Sequence, residues 1–312
     1  MDFELDNEQR LILESVEKIL ADCAGPARAI ELQREGAYDG ELETALRASG
    51  FDRLAENPAP RWLETALVAI AIARAAGVTA FTAGRFVVPG ATAGDFPFGD
   101  AVVALVDAQR PGPVRYATAA DVAVVLDADR VRCFDLGPGA VRPVRSNYGF
   151  PIGVIDLASA REMPEIKIHA GDLRRYWRLG LVLETVGAMS GALDNTVAYL
   201  KERRQFGRPL GSFQAVQHRL AECAIAVEGS RWLALEAAHG GAPAEASAVA
   251  ASFAIEAAER VFADTHQLSG AIGFTHEHDL HVWSMRLQAL RLELGGLSAH
   301  SREVARLRWG FA

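Results

Sequence analysis

Helical periodicity over the last part of the chain is the feature that most constrains its fold. Apolar residues recur at helical spacing in four long segments: 172–202, 212–239, 243–271 and 279–308. The breaks between the segments are short. Gly207, Pro209 and Gly211 follow the first segment, and residues of these types disfavour a continuing helix. Four long helices joined by short loops predict an up-and-down four-helix bundle.

The residues before this bundle show two other patterns. Apolar periodicity predicts helices at 5–24, 41–48 and 61–76. Short β-rich runs, broken by Pro and Gly, follow at 102–106, 122–126, 131–134 and 152–155. We therefore predict a mainly α protein with a reduced β region. Its predicted parts are an N-terminal helical domain (1–97), a small middle β domain (98–168) and the C-terminal four-helix bundle (169–312).

The composition argues against several classes of protein. The chain has 312 residues and half of them are hydrophobic, which allows a large core and argues against intrinsic disorder. Its net charge of -8 argues against a nucleic-acid-binding protein. The longest apolar runs, such as 65–76, are too short to cross a membrane, and no secretory leader is visible. Because Cys23, Cys133 and Cys223 lack the spacing of a disulfide framework or a metal site, we expect a cytoplasmic protein.

The segment around the first break between helices has a chemical pattern of its own. Arg203 and Arg204 are expected in the last turn of the helix, where its dipole favours cations, and Ser212 can cap the next helix. A guanidinium beside an aromatic ring such as Phe206 suits a planar anionic ligand, for example a cofactor with a pyrophosphate. On local physics alone, an ordinary helical hairpin whose arginines face water is the simpler interpretation.

The order of residues in three segments resembles the acyl-CoA dehydrogenase family. The first segment has Arg203, Phe206 and Gln214 at the positions of the family's Arg-x-x-Phe-Gly turn and the helix start that follows it. Residues 267–281 are similar to its Gln-x-x-Gly-Gly-x-Gly-Phe-Thr stretch, and residues 1–10 are similar to its N-terminal helix. Family members are flavoenzymes that oxidise an acyl-CoA thioester across Cα–Cβ. Their order of helices, strands and a four-helix bundle is the order predicted above.

The resemblance implies that this chain contacts FAD. In the family the Arg-x-x-Phe-Gly turn and the helix start after it reach the FAD of a neighbouring subunit, and the corresponding residues here are Arg203, Phe206 and Gln214. The glycine-rich stretch approaches the flavin's pyrophosphate, and its corresponding residues are Gln267, Gly270 and Ala271. The family's flavin-side Thr-Glu-Pro and Gly-Ser-Asp motifs are missing from the β region, which has Ala-Ala-Asp at 119–121 and Arg-Ser-Asn at 145–147 instead. We therefore expect FAD to be shared with a partner subunit.

The two positions that carry the catalytic glutamate in the family hold other residues here. One falls at Leu294, and the nearby carboxylate of Glu293 is displaced by one residue, about 100° around a helix. The other lies 26 residues before Arg203, at Trp177, which cannot accept a proton. Glu184 lies about two turns further along the same predicted helix, where an ion pair with an arginine or a subunit contact is the simpler interpretation. We predict no catalytic residue in this chain, with Glu184 and Glu293 as weak candidates.

A histidine-rich stretch offers a further candidate site. His276, His278 and His281 resemble a metal-binding cluster, but no cysteine or distant partner has metal-ligand spacing with them. Asp279 is expected to cap the last helix, and the family variant carries a similar string without a metal. We therefore predict no metal site.

These observations lead to one functional hypothesis and two alternatives. We predict a non-catalytic subunit of an α2β2 acyl-CoA dehydrogenase. A full-length partner subunit would bind most of the acyl-CoA, with a steroid side-chain CoA thioester as candidate substrate and electron-transfer flavoprotein as acceptor. The helices of 172–308, which are apolar on more than one face at residues such as Leu179 and Val182, are predicted to form the subunit interface. The alternatives are a self-sufficient homotetramer with Glu184 or Glu293 as base, and a flavin-free structural or regulatory protein.

Overall fold

The first third of the chain is helical. The computed structural model describes residues 4–310, so residues 1–3 of the N-terminal segment discussed above lie outside the described residues. The N-terminal helices are α1 (Asn7–Cys23), α2 (Pro26–Glu35), α3 (Gly40–Ala48), α4 (Trp62–Arg74) and α5 (Val88–Ala91). Helices α1, α3 and α4 confirm the helices predicted in this region. Helix α2 was not predicted, although proline at its first position and the left-handed Gly36 after its end are typical helix boundaries.

Two small sheets form the middle region. One has the strand order β1 (Val103–Asp107), β3 (Val122–Asp127), β4 (Arg130–Asp135) and β7 (Arg161–Glu162). In it β1 is parallel to β3, and the other pairs are antiparallel. The second sheet is antiparallel, with the order β2 (Val114–Arg115), β6 (Ile152–Ile155) and β5 (Val141–Val144). All four predicted β-rich runs are strands. Val122, Val124 and Leu126 of β3 are buried in the main core, so the first sheet packs against the helices.

The C-terminal bundle of the described residues has five helices: α6 (Ala170–Glu202), α7 (Gln214–His239), α8 (Ala244–Ser269), α9 (Leu280–Leu290) and α10 (Gly296–Trp309). The prediction of one helix over 279–308 was wrong, because this segment contains two helices. A 3₁₀ turn at Glu293–Gly295 separates them, with φ values of 49° at Leu294, 89° at Gly295 and 65° at Gly296. Two adjacent glycines adopt such values at little cost, which breaks the helix here.

Helix α6 lies in the centre of the molecule. Its 33 residues pack against α4, α7, α8 and α9, and the side chains of Leu179, Val182 and Val186 have no exposed surface. A β-carbon at Gly187 would lie 2.4 Å from the carbonyl oxygen of Ile70, so glycine is needed for the close approach of α4. Helices of the same chain therefore cover the apolar faces of α6. The apolar faces of α6 are therefore not evidence for the predicted subunit interface.

The order of elements along the chain is helices, strands and then helices. It confirms the predicted fold class, mainly α with a reduced β region. One continuous hydrophobic core contains residues from all three parts of the chain. The predicted domain boundaries after residues 97 and 168 therefore stay predictions.

Candidate functional site

A two-stranded hairpin after α6 carries the first candidate residues. The helix stops before Arg203, which has an extended conformation. Strand β8 (Arg204–Gln205) then pairs with β9 (Arg208–Pro209) across a turn in which Phe206 and Gly207 have φ values of 53° and 79°. Positive φ at both central residues is typical of a tight hairpin turn. Arg203 and Arg204 therefore lie just beyond the helix, and the prediction that they belong to its last turn was wrong.

Two residues predicted as helix caps make no capping bond. Ser212 donates its hydroxyl to the carbonyl of Pro209 at 2.7 Å, and α7 starts after Phe213 without a side-chain cap. Asp279 does occupy the position before α9, but its side chain accepts no hydrogen bond from the start of that helix. The first N–H groups of both helices are therefore free of side-chain acceptors.

The six residues implied in cofactor binding are all exposed to solvent: Arg203, Phe206, Gln214, Gln267, Gly270 and Ala271. Phe206, at the tip of the hairpin, is 87% exposed, which is unusual for a phenylalanine. Within residues 4–310, Arg203 and Arg204 have no carboxylate partner. The guanidinium of Arg208 lies 3.9 Å from the ring centroid of Phe213. The hairpin thus presents unpaired guanidinium groups and an aromatic ring to its surroundings.

The second candidate segment lies after α8, at the same end of the bundle. Gly270 has a φ of 67° and a ψ of -148°, a conformation that is nearly restricted to glycine. A 3₁₀ turn, Gly270–Phe274, begins at this glycine. Gln267 is exposed in the last turn of α8. The ring of Tyr199, near the end of α6, lies 5.0 Å from the ring of His278, which follows the 3₁₀ turn. This contact brings the two candidate segments together at one end of the bundle.

A cavity of about 630 Å³ lies between the β region and the bundle. Its wall is mainly apolar and includes side chains from β1, β5, β6 and α6. The wall also contains the four residues discussed above in connection with a catalytic base: Trp177, Glu184, Glu293 and Leu294. A cavity of this size and apolar character is typical of small-molecule sites. The structure thus brings both weak candidate bases into one place.

Arg115 joins the two glutamates in the wall of this cavity, although the sequence analysis did not single it out. Its Nη1 donates to Glu184 Oε2 at 2.7 Å, and its Nε donates to Glu293 Oε1. Trp177 Nε1 donates to Glu293 Oε2 at 3.1 Å. We call these four residues the Arg115 cluster. Glu184 is therefore paired with an arginine, the simpler of the interpretations given above. No local pattern marks Arg115, because its partners lie 69 and 178 positions away in the chain.

Burial and neighbouring charges act in opposite directions on the pKa of Arg115. Burial lowers the pKa of the Arg115 guanidinium, whereas Glu184 and Glu293 raise it, and the result lies above the ordinary value for arginine. Burial, followed by the charge of Glu184, raises the pKa of the adjacent Tyr116. Burial lowers the pKa of Arg286 on α9, which faces the same group of residues. Arg115 is thus a fixed cation whose two nearest anions are the candidate bases.

The histidine-rich stretch forms ring contacts. The rings of His276 and His281 are 4.7 Å apart, and His281 Nδ1 lies 2.8 Å from the carbonyl oxygen of His278. Within residues 4–310, no group of three or more His, Cys, Asp or Glu side chains is arranged to hold a metal ion.

Over the same range, every helix falls short of the length and apolar character needed to span a membrane.

Comparison with known proteins identifies the bundle. Residues 175–306 match the family model described as acyl-CoA dehydrogenase, C-terminal domain. The matched residues span nearly all of the C-terminal bundle. Acyl-CoA dehydrogenase FadE34 of Mycobacterium tuberculosis is 34% identical over 174 residues, which are 54% of this chain and 24% of that protein. Acyl-CoA dehydrogenase IpdE2 of the same organism is 42% identical over 106 residues, which are 34% of this chain and 33% of that protein. The chain thus spans about a quarter to a third of the length of these curated relatives.

Solved structures extend the likeness to the whole chain. The steroid ACAD Tcur3481-Tcur3483 shares 26% identity and a TM-score of 0.75, covering 96% of this chain and 97% of that chain. The ChsE4-ChsE5 complex from Mycobacterium tuberculosis has a TM-score of 0.81 at 22% identity, with 100% of both chains covered. The FAD complex of PigA has a TM-score of 0.76 at 18% identity, covering 98% of this chain and 99% of that chain. The whole chain therefore has the acyl-CoA dehydrogenase fold.

Proposed function

We propose that this chain is a non-catalytic subunit of an FAD-dependent acyl-CoA dehydrogenase, which introduces a Cα–Cβ double bond into an acyl-CoA. One observation carries the proposal: Glu184 and Glu293, the two candidate bases in the cavity, are both paired with Arg115. An adjacent positive charge favours the ionised form of a carboxylate and so opposes its taking up a substrate proton. Both oxygens of Glu293 already accept hydrogen bonds, from Arg115 and from Trp177. Leu294 and Trp177, at the two family positions of the base, cannot take up a proton.

The exposed residues at the end of the bundle fit one side of a bound FAD. Arg203 has no carboxylate partner within the described residues and is exposed, so its guanidinium is available to a pyrophosphate. Phe206, Gln214 and Gln267 add an aromatic ring and two amides, while Gly270 and Ala271 let a ligand approach the backbone closely. Because all six residues are exposed, they do not enclose a cofactor by themselves. They suit contact with the adenosine diphosphate half of an FAD that a partner subunit holds.

The partner we propose is a full-length acyl-CoA dehydrogenase subunit in an α2β2 complex. It would supply the catalytic glutamate, the flavin-facing β domain and most of the acyl-CoA pocket. When bound, FAD would supply the hydride acceptor. Electron-transfer flavoprotein would then take the electrons from the reduced flavin. Two structures of this fold support the partner and the substrate class, since one is named as a complex and the other as a steroid ACAD. We expect the complex to be cytoplasmic and to act on a steroid side-chain CoA thioester.

Flavin reduction tests the catalytic part of this proposal. The purified chain mixed with an acyl-CoA should not bleach flavin absorbance, whereas its complex with the full-length dehydrogenase should. Bleaching by this chain alone would favour a self-sufficient homotetramer, and Glu184→Gln and Glu293→Gln would then show which carboxylate acts. A soluble, colourless chain that has no affinity for a dehydrogenase would favour a flavin-free structural or regulatory protein.

Arg203→Ala tests the cofactor part of the proposal. A charge-assisted contact contributes about 1.5–3 kcal/mol, so the complex should lose FAD affinity by roughly 10- to 150-fold while its assembly is unchanged. Arg204→Ala is the matched control, because Arg204 is the next residue in the chain and is also exposed and without a carboxylate partner within residues 4–310. FAD content per complex after dialysis is the measurement. Equal retention of FAD in both variants would contradict the assignment of Arg203.

A further inference from the structure

The Arg115 cluster joins three separate elements of the fold. Arg115 lies on β2, Glu184 on the central helix α6 and Glu293 on the 3₁₀ turn before α10. Arg115 donates through Nη1 to one carboxylate and through Nε to the other, so both carboxylates share a single guanidinium. The three side chains are mostly buried, with 15%, 13% and 22% of their surfaces exposed. Two buried carboxylates this close together depend strongly on the cation between them.

We propose that Arg115 is the positioning residue that silences this cavity, because its guanidinium pairs with Oε2 of Glu184 and Oε1 of Glu293 and so holds both carboxylates in the wall as an ion-paired group. The inference rests on the proposed function and names the residue responsible for the lack of a base. Arg115 does not touch the reacting atoms in this account. It acts through the two glutamates and, by fixing Glu293 against Trp177, through the turn that contains Leu294.

The other charged groups around the cluster leave Arg115 as its principal cation. Tyr116 follows it in the chain, and Arg286 faces it from α9. Arg286 donates a hydrogen bond to the carbonyl of Gly77 and lies 5.2 Å from the ring centroid of Phe150, while its Nε and Nη2 have no hydrogen-bond partner. Within residues 4–310 it forms no ion pair with either glutamate. The remaining charged residues of the cavity wall are Asp107, Arg110 and Arg145. Of these, Arg110 is paired with Asp107 at 2.7 Å, and Arg145 is exposed.

Removal of the Arg115 cation should leave Glu184 and Glu293 as a pair of carboxylates that binds a proton. In Arg115→Met, two buried carboxylates would face each other without their counter-ion, which favours uptake of one proton from solvent by the pair. Trp177 reports on this event, because its Nε1 donates to Glu293. Its fluorescence should therefore change with pH in this variant, in a single transition. Arg115→Gln, which keeps hydrogen-bond donors without the charge, should behave in the same way.

The experiment measures tryptophan fluorescence of the full chain between pH 5 and 8, with circular dichroism at each pH to establish that the fold is intact. The signal of Trp177 is the difference between each protein and the same protein with Trp177→Phe. The parent chain and Arg115→Lys, which keeps the positive charge, should show no transition. Arg115→Met combined with Glu184→Gln should lose the transition, because the carboxylate pair no longer exists.

Two results would overturn the proposal. One is a flat pH profile in both Arg115→Met and Arg115→Gln, and the other is the same transition in Arg115→Lys. The measurement needs neither flavin nor acyl-CoA, so its outcome is independent of the tests of the proposed function. A flat profile together with normal FAD binding by the complex would remove Arg115 from the account and leave the subunit role intact.

Discussion

His300 gives the sharpest prediction about stability. The side chain lies on α10 with no exposed surface, and neither ring nitrogen has a hydrogen-bond partner within residues 4–310. Burial, followed by the positive charges of Arg178 and Arg110, lowers the pKa of His300 to about 4 from its ordinary value of 6.5. The folded protein therefore keeps this ring neutral at a pH where the unfolded chain already binds a proton.

The direction and size of the pH effect on stability follow from the difference in the pKa of His300 between the folded and unfolded states. Because the unfolded state binds more protons between pH 6.5 and about 4, the stabilisation is complete above pH 6.5 and is lost as the pH falls through this range. A difference of about 2.5 pH units, at 1.36 kcal/mol each, corresponds to about 3 kcal/mol of unfolding free energy. That is a large part of the 5–15 kcal/mol that is typical of natural proteins.

Urea unfolding at pH 7, 6, 5 and 4 measures this contribution. His300→Leu replaces the ring by an apolar side chain that does not titrate, so its unfolding free energy should fall less on acidification than that of the parent, by about 3 kcal/mol. His239→Gln is the control for the loss of a histidine, because His239 is exposed at the end of α7. An unchanged pH dependence in His300→Leu would refute the reasoning.

Two further predictions concern packing and thiol reactivity. Gly187→Ala should lower the unfolding free energy by about 1–3 kcal/mol, since its new β-carbon would lie 2.4 Å from a backbone oxygen of α4. Gly171→Ala on the same helix meets nothing within 4 Å and should change it by less than about 1 kcal/mol, and equal urea midpoints would contradict this contrast. Iodoacetamide at pH 8 should modify the half-buried Cys23 before Cys133 and Cys223, because burial raises the pKa of these two thiols to about 11 and about 12. Peptide mass spectrometry over time would show a different order if burial does not control reactivity.

Periodicity predicted the long elements of the fold well and their interruptions poorly. Helices α6, α7 and α8 follow the predicted segments because each presents an uninterrupted helical pattern over many turns. The break between α9 and α10 was missed, since it depends on backbone conformations at Leu294, Gly295 and Gly296 that a periodic pattern does not contain. The apolar faces of α6 were misinterpreted for a related reason. A helix that is apolar all round fits the centre of its own chain as well as an interface.

The candidate site shows the same division between local and distant information. The sequence identified Glu184 and Glu293 as the carboxylates to consider, because it fixes residue types and positions along a helix. It could not show that both contact Arg115, since that depends on how the β region packs on the bundle. The assignments of Arg203, Phe206 and Gln267 to a cofactor stay predictions. The structure adds that these side chains are exposed at one end of the bundle.

Assembly with a full-length dehydrogenase tests the central claim most directly. The chain should be co-expressed with a full-length acyl-CoA dehydrogenase from the same organism and analysed by size-exclusion chromatography with light scattering and flavin absorbance. We predict two copies of each chain and about one FAD per heterodimer, consistent with a closed symmetric assembly. A monodisperse monomer of this chain at micromolar concentration, with no affinity for the dehydrogenase, would contradict both the subunit role and the shared cofactor.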